Sequence, residues 1–306
     1  MKIAITGATG FVGSHLVKKL ATSDNQLIIL TRNEANANRK FPASSFPNLE
    51  IVKYTPQTSG NWQDKLSGCD AIINLAGEPI AEKKWTPSQK QELLNSRKIG
   101  TQKIVEGIKK ADQKPLVLVN FSAIGYYGTS ETATFDENSQ SGNDFLGEIC
   151  QNWEEEAKKV KETGVRLVII RSGIVLGNGG AIAKMIPPFK MFAGGAIGSG
   201  KQWFSWIHID DIVKLVIEAI NRQDIEGTFN GTAPNPVTMN ELCNVLGNVL
   251  NRPSWLPVPS FVLQALLGDG SKVVLEGQKV LPKKTQSIGF KYQYPNLKEA
   301  LIDIVK

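Results

Sequence analysis

Three glycines stand three residues apart near the start of the chain, in the run GATGFVG at residues 7–13. The run directly follows the apolar residues 2–6 and leads into a helix-like stretch. There Gly7 permits a tight turn, Gly10 lets the backbone approach a pyrophosphate, and Gly13 lets the helix pack on the strand. The alternative is a glycine-rich turn without a ligand, since the spacing is GxxGxxG rather than GxGxxG. The residues predicted to bind a dinucleotide here are Gly7, Thr9, Gly10, Phe11, Val12 and Gly13.

The end of the second predicted strand indicates which dinucleotide binds. An acidic residue there would hold the ribose hydroxyls of NAD, whereas a cation accommodates the 2′-phosphate of NADP. The chain has Thr31 and Arg32 at this place, and neither Asp24 nor Glu34 stands where an acid is expected. Because a guanidinium can hold phosphate with two parallel hydrogen bonds, Arg32 predicts NADP(H) as the cofactor. The alternative is a solvated arginine at the end of a strand.

Small residues end the fourth predicted strand. Leu75, Ala76 and Gly77 lie along the edge where a dinucleotide would run, and small residues there allow its close approach. Glu78 follows at once and could face a substrate. Arg97, further along, could equally well only bridge two helices.

A serine and two phenols follow the fifth predicted strand. Ser122, Tyr126 and Tyr127 lie in the run NFSAIGYYG, at the carboxyl edge where an open α/β sheet places its site. We expect these three residues to be catalytic. For the two tyrosines, packing of loop aromatics against a neighbouring element is an equally good interpretation.

A later segment carries further candidates in the run GSGKQWFSWIH at residues 198–208. Trp206 offers an aromatic face for stacking, and Lys201 and Gln202 offer polar contacts to a substrate. His208 titrates near neutral pH and is a further candidate catalytic residue. A single histidine before a helix is, however, more often structural than catalytic.

These residues need a parallel sheet to bring them together, and the hydrophobic pattern predicts one. Continuous apolar runs indicate buried strands at residues 2–6, 26–31, 50–54, 70–75, 115–121 and 166–171. Amphipathic stretches near residues 11–23, 88–112 and 147–163 predict helices between them. The expected fold class is therefore α/β, a doubly wound parallel sheet of the Rossmann type.

The regular alternation ends after Arg171, where a glycine-rich segment begins. A helix is expected from Asp210 to about Asn221, followed by a returning strand at residues 228–230. Thr238 and Glu241 form a capping-box pattern at the start of another helix. We predict a dinucleotide-binding domain at residues 1–173, with 205–230 returning to it, and a smaller substrate lobe at residues 174–204 and 231–306.

Composition excludes several classes of protein. The 306 residues are 41% hydrophobic and 21% charged, enough for a core, and no apolar run approaches the length of a membrane span. A net charge of +6 is mild and scattered, so nucleic acid is not expected as a partner. The three cysteines and two histidines lack metal-ligand spacing, so no metal is expected. With no leader-like segment at the start, we expect a cytoplasmic protein.

The motifs together resemble a known family. The runs GATGFVG, NLAG, SAIGYYG and GSGKQWFSWIHIDD are similar to those of extended short-chain dehydrogenases/reductases. More closely, the chain resembles their atypical branch of epimerase-family proteins, labelled nucleoside-diphosphate-sugar epimerase-like and related to plant plastid-division and cyanobacterial division-inhibitor-like proteins. The resemblance runs over nearly the whole chain. It implies NADP(H) binding, a small-molecule substrate, a possible homodimer and a possible division-related protein partner.

The resemblance also exposes a missing catalytic pair. Typical members use a tyrosine and, four residues later, a lysine that lowers the pKa of the phenol for proton transfer. In this chain Phe145 and Ile149 occupy those places. The one literal YxxxK, from Tyr294 to Lys298, lies in the other lobe, and we interpret it as chance.

Two functions therefore remain open. The first is an NADP(H)-dependent oxidoreductase or epimerase-like enzyme acting on a small or sugar-like alcohol or carbonyl. The second is a catalytically degenerate NADPH-binding regulatory or scaffold protein, for which cell or plastid division is the candidate process. The fold alone cannot choose between them.

Overall fold

Seven strands form one parallel sheet at the centre of the computed structural model, which describes residues 1–306. They are β1 (Lys2–Thr6), β2 (Gln26–Thr31), β3 (Leu49–Lys53), β4 (Ala71–Asn74), β5 (Val117–Ala123), β7 (Arg166–Ser172) and β11 (Gly227–Gly231). Their order across the sheet is β11-β7-β5-β4-β1-β2-β3. The chain thus starts in the middle of the sheet and winds outwards in both directions, which confirms the predicted Rossmann-type fold.

Six short strands lie outside this sheet and pair in three small sheets. Strand β8 pairs with β10 and β6 with β13 in parallel, and β9 pairs with β12 in antiparallel orientation. Their bounds are β6 (Thr134–Phe135), β8 (Ile174–Leu176), β9 (Trp203–Phe204), β10 (Trp206–His208), β12 (Val237–Thr238) and β13 (Lys279–Val280).

Eleven α-helices connect the strands. The three helices predicted in the first half are found slightly shorter than expected, and the last of them ends in a 3₁₀ turn over Lys159–Thr163. None of the helices combines the length and apolar character that crossing a bilayer requires. Their bounds are α1 (Phe11–Leu20), α2 (Glu34–Lys40), α3 (Pro87–Lys110), α4 (Phe145–Lys158), α5 (Gly180–Lys190), α6 (Ile209–Asn221), α7 (Met239–Leu250), α8 (Ser260–Leu267), α9 (Lys272–Leu275), α10 (Lys283–Ser287) and α11 (Leu297–Val305).

The central sheet is covered on both faces. Side chains alternate along a strand, so Ile3 and Ile5 enter the core beneath α1 and α6, whereas Ala4 enters the core beneath α3. These two cores contain 28 and 17 buried residues. Burial on both faces explains why the strands are continuous apolar runs in the sequence.

A third core of 14 buried residues lies away from the central sheet. Leu176, Phe189, Trp206, Leu242 and Leu301 are among its members, and they come from β8, α5, β10, α7 and α11. This separate core is the reason to retain, as a prediction, a smaller lobe at residues 174–204 and 231–306. Strand β11, which we assigned mostly to the returning segment 205–230, lies beside β7 at the edge of the central sheet.

Candidate functional site

The three glycines of the loop between β1 and α1 differ in their surroundings. Gly7 has a φ of +68°, and a Cβ there would lie 2.7 Å from the carbonyl carbon of Leu75, so both its conformation and its packing require glycine. A Cβ on Gly13 would collide with the backbone of Gly7 and Ala8. A Cβ on Gly10 would approach only the Gly7 carbonyl oxygen, at 3.2 Å. Gly10 is therefore the position that borders open space.

Helix α1 begins directly after Gly10 and has no acidic residue in its first turn. The first N–H groups of a helix have no partner within it, so this end attracts anions. Lys40, the last residue of α2, donates a hydrogen bond from its ammonium group to the Thr9 carbonyl. Its position beside the loop was not predicted from the sequence, although a second cation close after Arg32 was a usable signal.

Arg32 lies where the sequence placed it, directly after β2. Its side chain is exposed, whereas Thr31 is buried. The Thr31 hydroxyl accepts a hydrogen bond from the backbone N–H of Asn33 and lies within hydrogen-bonding distance of the Asn33 carbonyl oxygen. Asn33 is the N-cap of α2. The backbone that carries Arg32 is thus fixed at the carboxyl edge of the sheet by a short, hydrogen-bonded turn. This is the arrangement that the cofactor prediction requires.

The end of β4 lies against both the glycine loop and α3. The backbone N–H of Ala76 donates to the Thr6 hydroxyl at 3.3 Å, and Leu75 contacts Gly7. The Glu78 carboxylate forms a 2.7 Å ion pair with Lys83, whose hydrogen bond lowers the pKa of Glu78. The substrate contact expected of Glu78 would therefore have to compete with Lys83.

Ser122 is engaged in a buried ionic network. Its hydroxyl donates to Glu154 at 2.8 Å, and Arg171 binds the same carboxylate through Nε and Nη2, both at 2.8 Å. All three residues are buried. Burial opposes the charge of Arg171, but the hydrogen bonds and charge of Glu154 outweigh it and raise the pKa of the guanidinium. The serine thus serves this ion pair in the structure.

The two tyrosines after β5 surround the same arginine. Tyr127 donates its phenol hydrogen to Asn230 at 2.7 Å and accepts a hydrogen bond from Arg171 at 3.0 Å, and burial raises its pKa to about 12. The Arg171 guanidinium lies over the ring of Tyr126, 3.3 Å from its centre. Packing, the alternative interpretation of these aromatics, describes Tyr127 in this structure.

A cavity of about 250 Å³ lies at the carboxyl ends of β5 and β7, bounded also by α4 and residues 272–278. Its walls are largely apolar. Ile149, at the place expected for the catalytic lysine, is one of them, whereas Phe145 packs against Trp85. None of the four residues predicted to be catalytic lines this cavity. Its apolar side chains include Ile80, Ile124, Leu146, Ile149, Val273 and Trp203.

Arg97 brings a cation to this apolar cavity. Its guanidinium donates to the carbonyl groups of Leu93 at 3.1 Å and Glu78 at 2.9 Å, and it lies 5.2 Å from the ring centre of Trp153. Burial lowers its pKa. Cys150 lines the same wall, and burial raises the pKa of its thiol to about 11. From the sequence, Arg97 was considered only as a residue that could bridge two helices. The spacing of Trp153 and Cys150 in the sequence did not indicate that they line a cavity.

The predicted substrate residues of the segment 198–208 differ in their burial and in their contacts. Lys201 is exposed, and Gln202 is buried, donating to the carbonyls of Ile197 and Val274. Trp206 has no exposed surface and donates its indole hydrogen to the Asn235 carbonyl. This burial argues against the stacking contact that we expected of Trp206.

His208 caps α6 beside the third core. Its Nδ1 accepts a hydrogen bond from the Asp210 N–H at 3.2 Å, so the ring proton of the neutral form lies on Nε2, 3.5 Å from Asp303. Burial lowers its pKa, and its ring contacts Tyr294 with 3.9 Å between ring centres. In the structure the histidine therefore acts as the N-cap of α6.

A central parallel sheet, a glycine loop after its first strand and a cavity at its carboxyl edge together define a Rossmann-type protein that binds NAD(P). The chain belongs to the NAD dependent epimerase/dehydratase family, which matches residues 3–230. Residues 258–304 match a domain of unknown function. These matches confirm the family resemblance deduced from the motifs.

Several relatives cover nearly the whole chain. It is 50% identical over 309 aligned residues to the chloroplastic epimerase family protein SDR39U1 homolog of Arabidopsis thaliana, covering 100% of this chain and 87% of that protein. It is 40% identical to the epimerase family protein YfhF of Bacillus subtilis, covering 100% and 98% of the two chains. The similarity to epimerase-family proteins thus extends beyond residue 230 to the end of the chain.

Solved structures show the same fold. The human epimerase family protein SDR39U1 (isoform 2), solved with NADPH, is 35% identical and superposes with a TM-score of 0.87 over 99% of both chains. A UDP-glucuronic acid 4-epimerase of Bacillus cereus, solved with NAD, is 17% identical with a TM-score of 0.79, covering 99% of this chain and 95% of that one. At that identity the likeness shows the fold alone.

Proposed function

We propose that this protein is an NADP(H)-dependent oxidoreductase or epimerase-like enzyme acting on a small or sugar-like alcohol or carbonyl. The observation that carries the proposal is the match, over 99% of both chains, to a human protein solved with NADPH. The open side of Gly10 and the anion-attracting start of α1 fit a pyrophosphate at the same edge of the sheet.

The chain's own residues account for binding in this proposal. Backbone N–H groups from the loop at residues 7–13 hold the pyrophosphate, while Arg32, with Lys40 nearby, holds the 2′-phosphate. The backbone at residues 75–77 borders the cofactor. When bound, NADPH supplies a hydride; the cavity's apolar walls exclude water from the reacting groups.

The size of the cavity favours a small substrate. About 250 Å³ is below the usual 300–1,000 Å³ or so of a small-molecule site. A small carbonyl compound or its alcohol fits this volume better than a whole nucleotide sugar does. Tyr126 does not line the cavity but directly follows Gly125, which does, and we retain it as the first proton donor to test because the Tyr127 hydroxyl is engaged and His208 caps a helix.

A specific observation favours the second function. Ile149 stands in the cavity wall where the catalytic lysine is expected, so the usual activation of a phenol is missing. This supports a degenerate NADPH-binding regulatory or scaffold protein, with a role in cell or plastid division, a homodimer and a cytoplasmic location as further proposals.

Cofactor choice gives a direct prediction at Arg32. Arg32→Ala is expected to reduce the preference for NADPH over NADH by about 1 to 3 kcal/mol, because a charge-assisted hydrogen-bonding site for the 2′-phosphate is lost. Calorimetric titration with both cofactors measures this preference. Arg222→Ala, which removes a half-buried arginine paired with Asp224, is the control and should change neither affinity. Equal affinities of the unmodified protein for NADPH and NADH would refute the assignment.

A turnover screen tests the function itself. The protein is incubated with NADPH and a panel of aldehydes, ketones, quinones and nucleotide-sugar carbonyls, and oxidation of NADPH is followed by absorbance. We expect reduction of the small carbonyls, and a loss of about 100-fold in Tyr126→Phe, the usual scale for a missing general acid. Turnover that survives Tyr126→Phe would exclude this donor. Tight NADPH binding without turnover of any compound would favour the regulatory function.

A further inference from the structure

Arg97 is a half-buried cation without an anionic partner. A guanidinium has five N–H donors, and Arg97 uses two of them on the carbonyl oxygens of Leu93 and Glu78. The contrast with Arg171 is direct, because that arginine is buried with both oxygens of Glu154 against it. A charge withdrawn from water is costly unless it is paired. Arg97 therefore retains donors and a charge for a group that enters the cavity.

The guanidinium of Arg97 is held in a fixed orientation. A Cβ on Gly77 would lie 2.9 Å from Cζ and 3.1 Å from both Nε and Nη2, so this glycine lies against the flat face of the group. Trp153 contributes a cation–π contact at 5.2 Å, and its own buried indole N–H has no hydrogen-bond partner. The wall of the cavity thus presents a preorganised cation and an unsatisfied donor.

No carboxylate forms an ion pair with Arg97: the charge of Glu78 acts on it, but that carboxylate is paired with Lys83 at 2.7 Å. Lys272 and Glu276 also line the cavity, but both are exposed, and Glu276 accepts a hydrogen bond from Thr129 at 2.9 Å. The rest of the lining is mostly apolar, and its uncharged polar members are Thr129, Ser172, Ser205 and Gln278. A ligand that matches this surface has one anionic end and an apolar body.

We propose that Arg97 binds the carboxylate of a small substrate, which makes the substrate class a carboxylate-bearing carbonyl or alcohol. The planar fork of a guanidinium matches a carboxylate through two parallel hydrogen bonds. A single fork with apolar surroundings fits a monoanion better than a phosphate dianion. This inference rests on the proposed function, because it assigns the substrate of the same cavity.

A matched pair of probes tests the inference. Benzoate and benzamide have the same size and apolar ring but differ in charge, and each is titrated calorimetrically into the NADPH-loaded protein. We expect benzoate to bind at least tenfold more tightly than benzamide. Arg97→Gln should remove this preference, and Arg97→Lys should retain part of it, because lysine keeps the charge without the fork. Arg222→Gln, which removes an arginine that pairs with Asp224 and does not line the cavity, is the control and should bind as the unmodified protein does.

Parallel titration with NADPH separates this inference from the proposed function. If the protein binds NADPH but shows no preference for benzoate, or if Arg97→Gln keeps the preference, the carboxylate assignment is wrong while the cofactor assignment stands. If Arg97→Gln loses NADPH affinity tenfold, Arg97 is a cofactor residue and the inference is again wrong. If the unmodified protein binds no NADPH, the proposed function fails, and the same titrations without cofactor decide whether Arg97 binds carboxylates.

A second variant tests the inference even if Arg97→Gln does not fold. Gly77→Ala keeps the arginine but pushes its guanidinium out of place, because the new methyl group would stand against Cζ. Because residues 75–77 border the proposed cofactor, both probes are titrated here without NADPH, and benzoate affinity should fall severalfold relative to the unmodified protein while benzamide affinity stays unchanged. Unchanged affinity for both probes in folded Gly77→Ala would count against the inference.

Discussion

Gly10→Val is expected to weaken NADPH binding by about 100-fold or more, the equivalent of losing one or two charge-assisted hydrogen bonds between loop amides and the pyrophosphate. The fold should survive, because a Cβ at this position approaches only the Gly7 carbonyl oxygen and otherwise enters open space. The valine side chain would then occupy the space that the dinucleotide backbone needs. Fluorescence titration with NADPH measures the affinity, and thermal melting monitors the fold.

Gly13→Val is the matched control for this experiment. Its new side chain would collide with the backbone of Gly7 and Ala8, at the contact between α1 and the loop. We therefore expect a large loss of thermal stability, unlike the effect at Gly10. Normal NADPH affinity in a folded Gly10→Val protein would show that the cofactor does not approach this side of the loop.

The parallel sheet could be predicted because its signal is local and repeated. The inner strands of the sheet are buried on both faces, so Ile3 to Ile5 and Leu167 to Ile170 are apolar runs of strand length. The six short strands outside the central sheet were not predicted. Strand β12 and its partner β9 contain two residues each, too few for any period to be seen.

The glycine loop was also predictable, since strand, turn and helix follow one another within a dozen residues. The cavity was not, because its parts come together only in the folded chain. Arg97 lies on α3 and Trp153 on α4, while Lys272 begins α9. Their sequence separation leaves no motif that spacing alone could reveal.

Residue type alone was a poor predictor of ligand contacts, because a side chain that is buried in the protein cannot reach a ligand. Trp206, Gln202 and Tyr127 carry groups that can contact a ligand, but each is buried and hydrogen-bonded to the protein itself. An aromatic or amide side chain serves a core and a ligand site equally well. Sequence does not distinguish these uses until the neighbours of the side chain are known.

Arg171→Met is expected to destabilise the protein by about 3 to 5 kcal/mol, because it leaves the fully buried carboxylate of Glu154 without its cation. Such a loss is a large part of the stability of an ordinary domain. Urea unfolding monitored by circular dichroism measures it. Lys161→Met, which breaks an exposed pair with Glu226, is the control and should cost about 1 kcal/mol or less.

The double variant Arg171→Met with Glu154→Gln separates the ion pair from simple packing. The amide that Glu154→Gln introduces is neutral, so no unpaired carboxylate charge stays buried in the double variant. The double variant should therefore be more stable than Arg171→Met alone. If the two losses simply add, the charge of Glu154 is not what makes the single change costly.

Because Ser122 and Tyr127 bind this same pair, loosening it should also disturb residues 123–125, which line the cavity. Arg171→Met should therefore weaken benzoate binding more than NADPH binding, since the glycine loop lies on another strand.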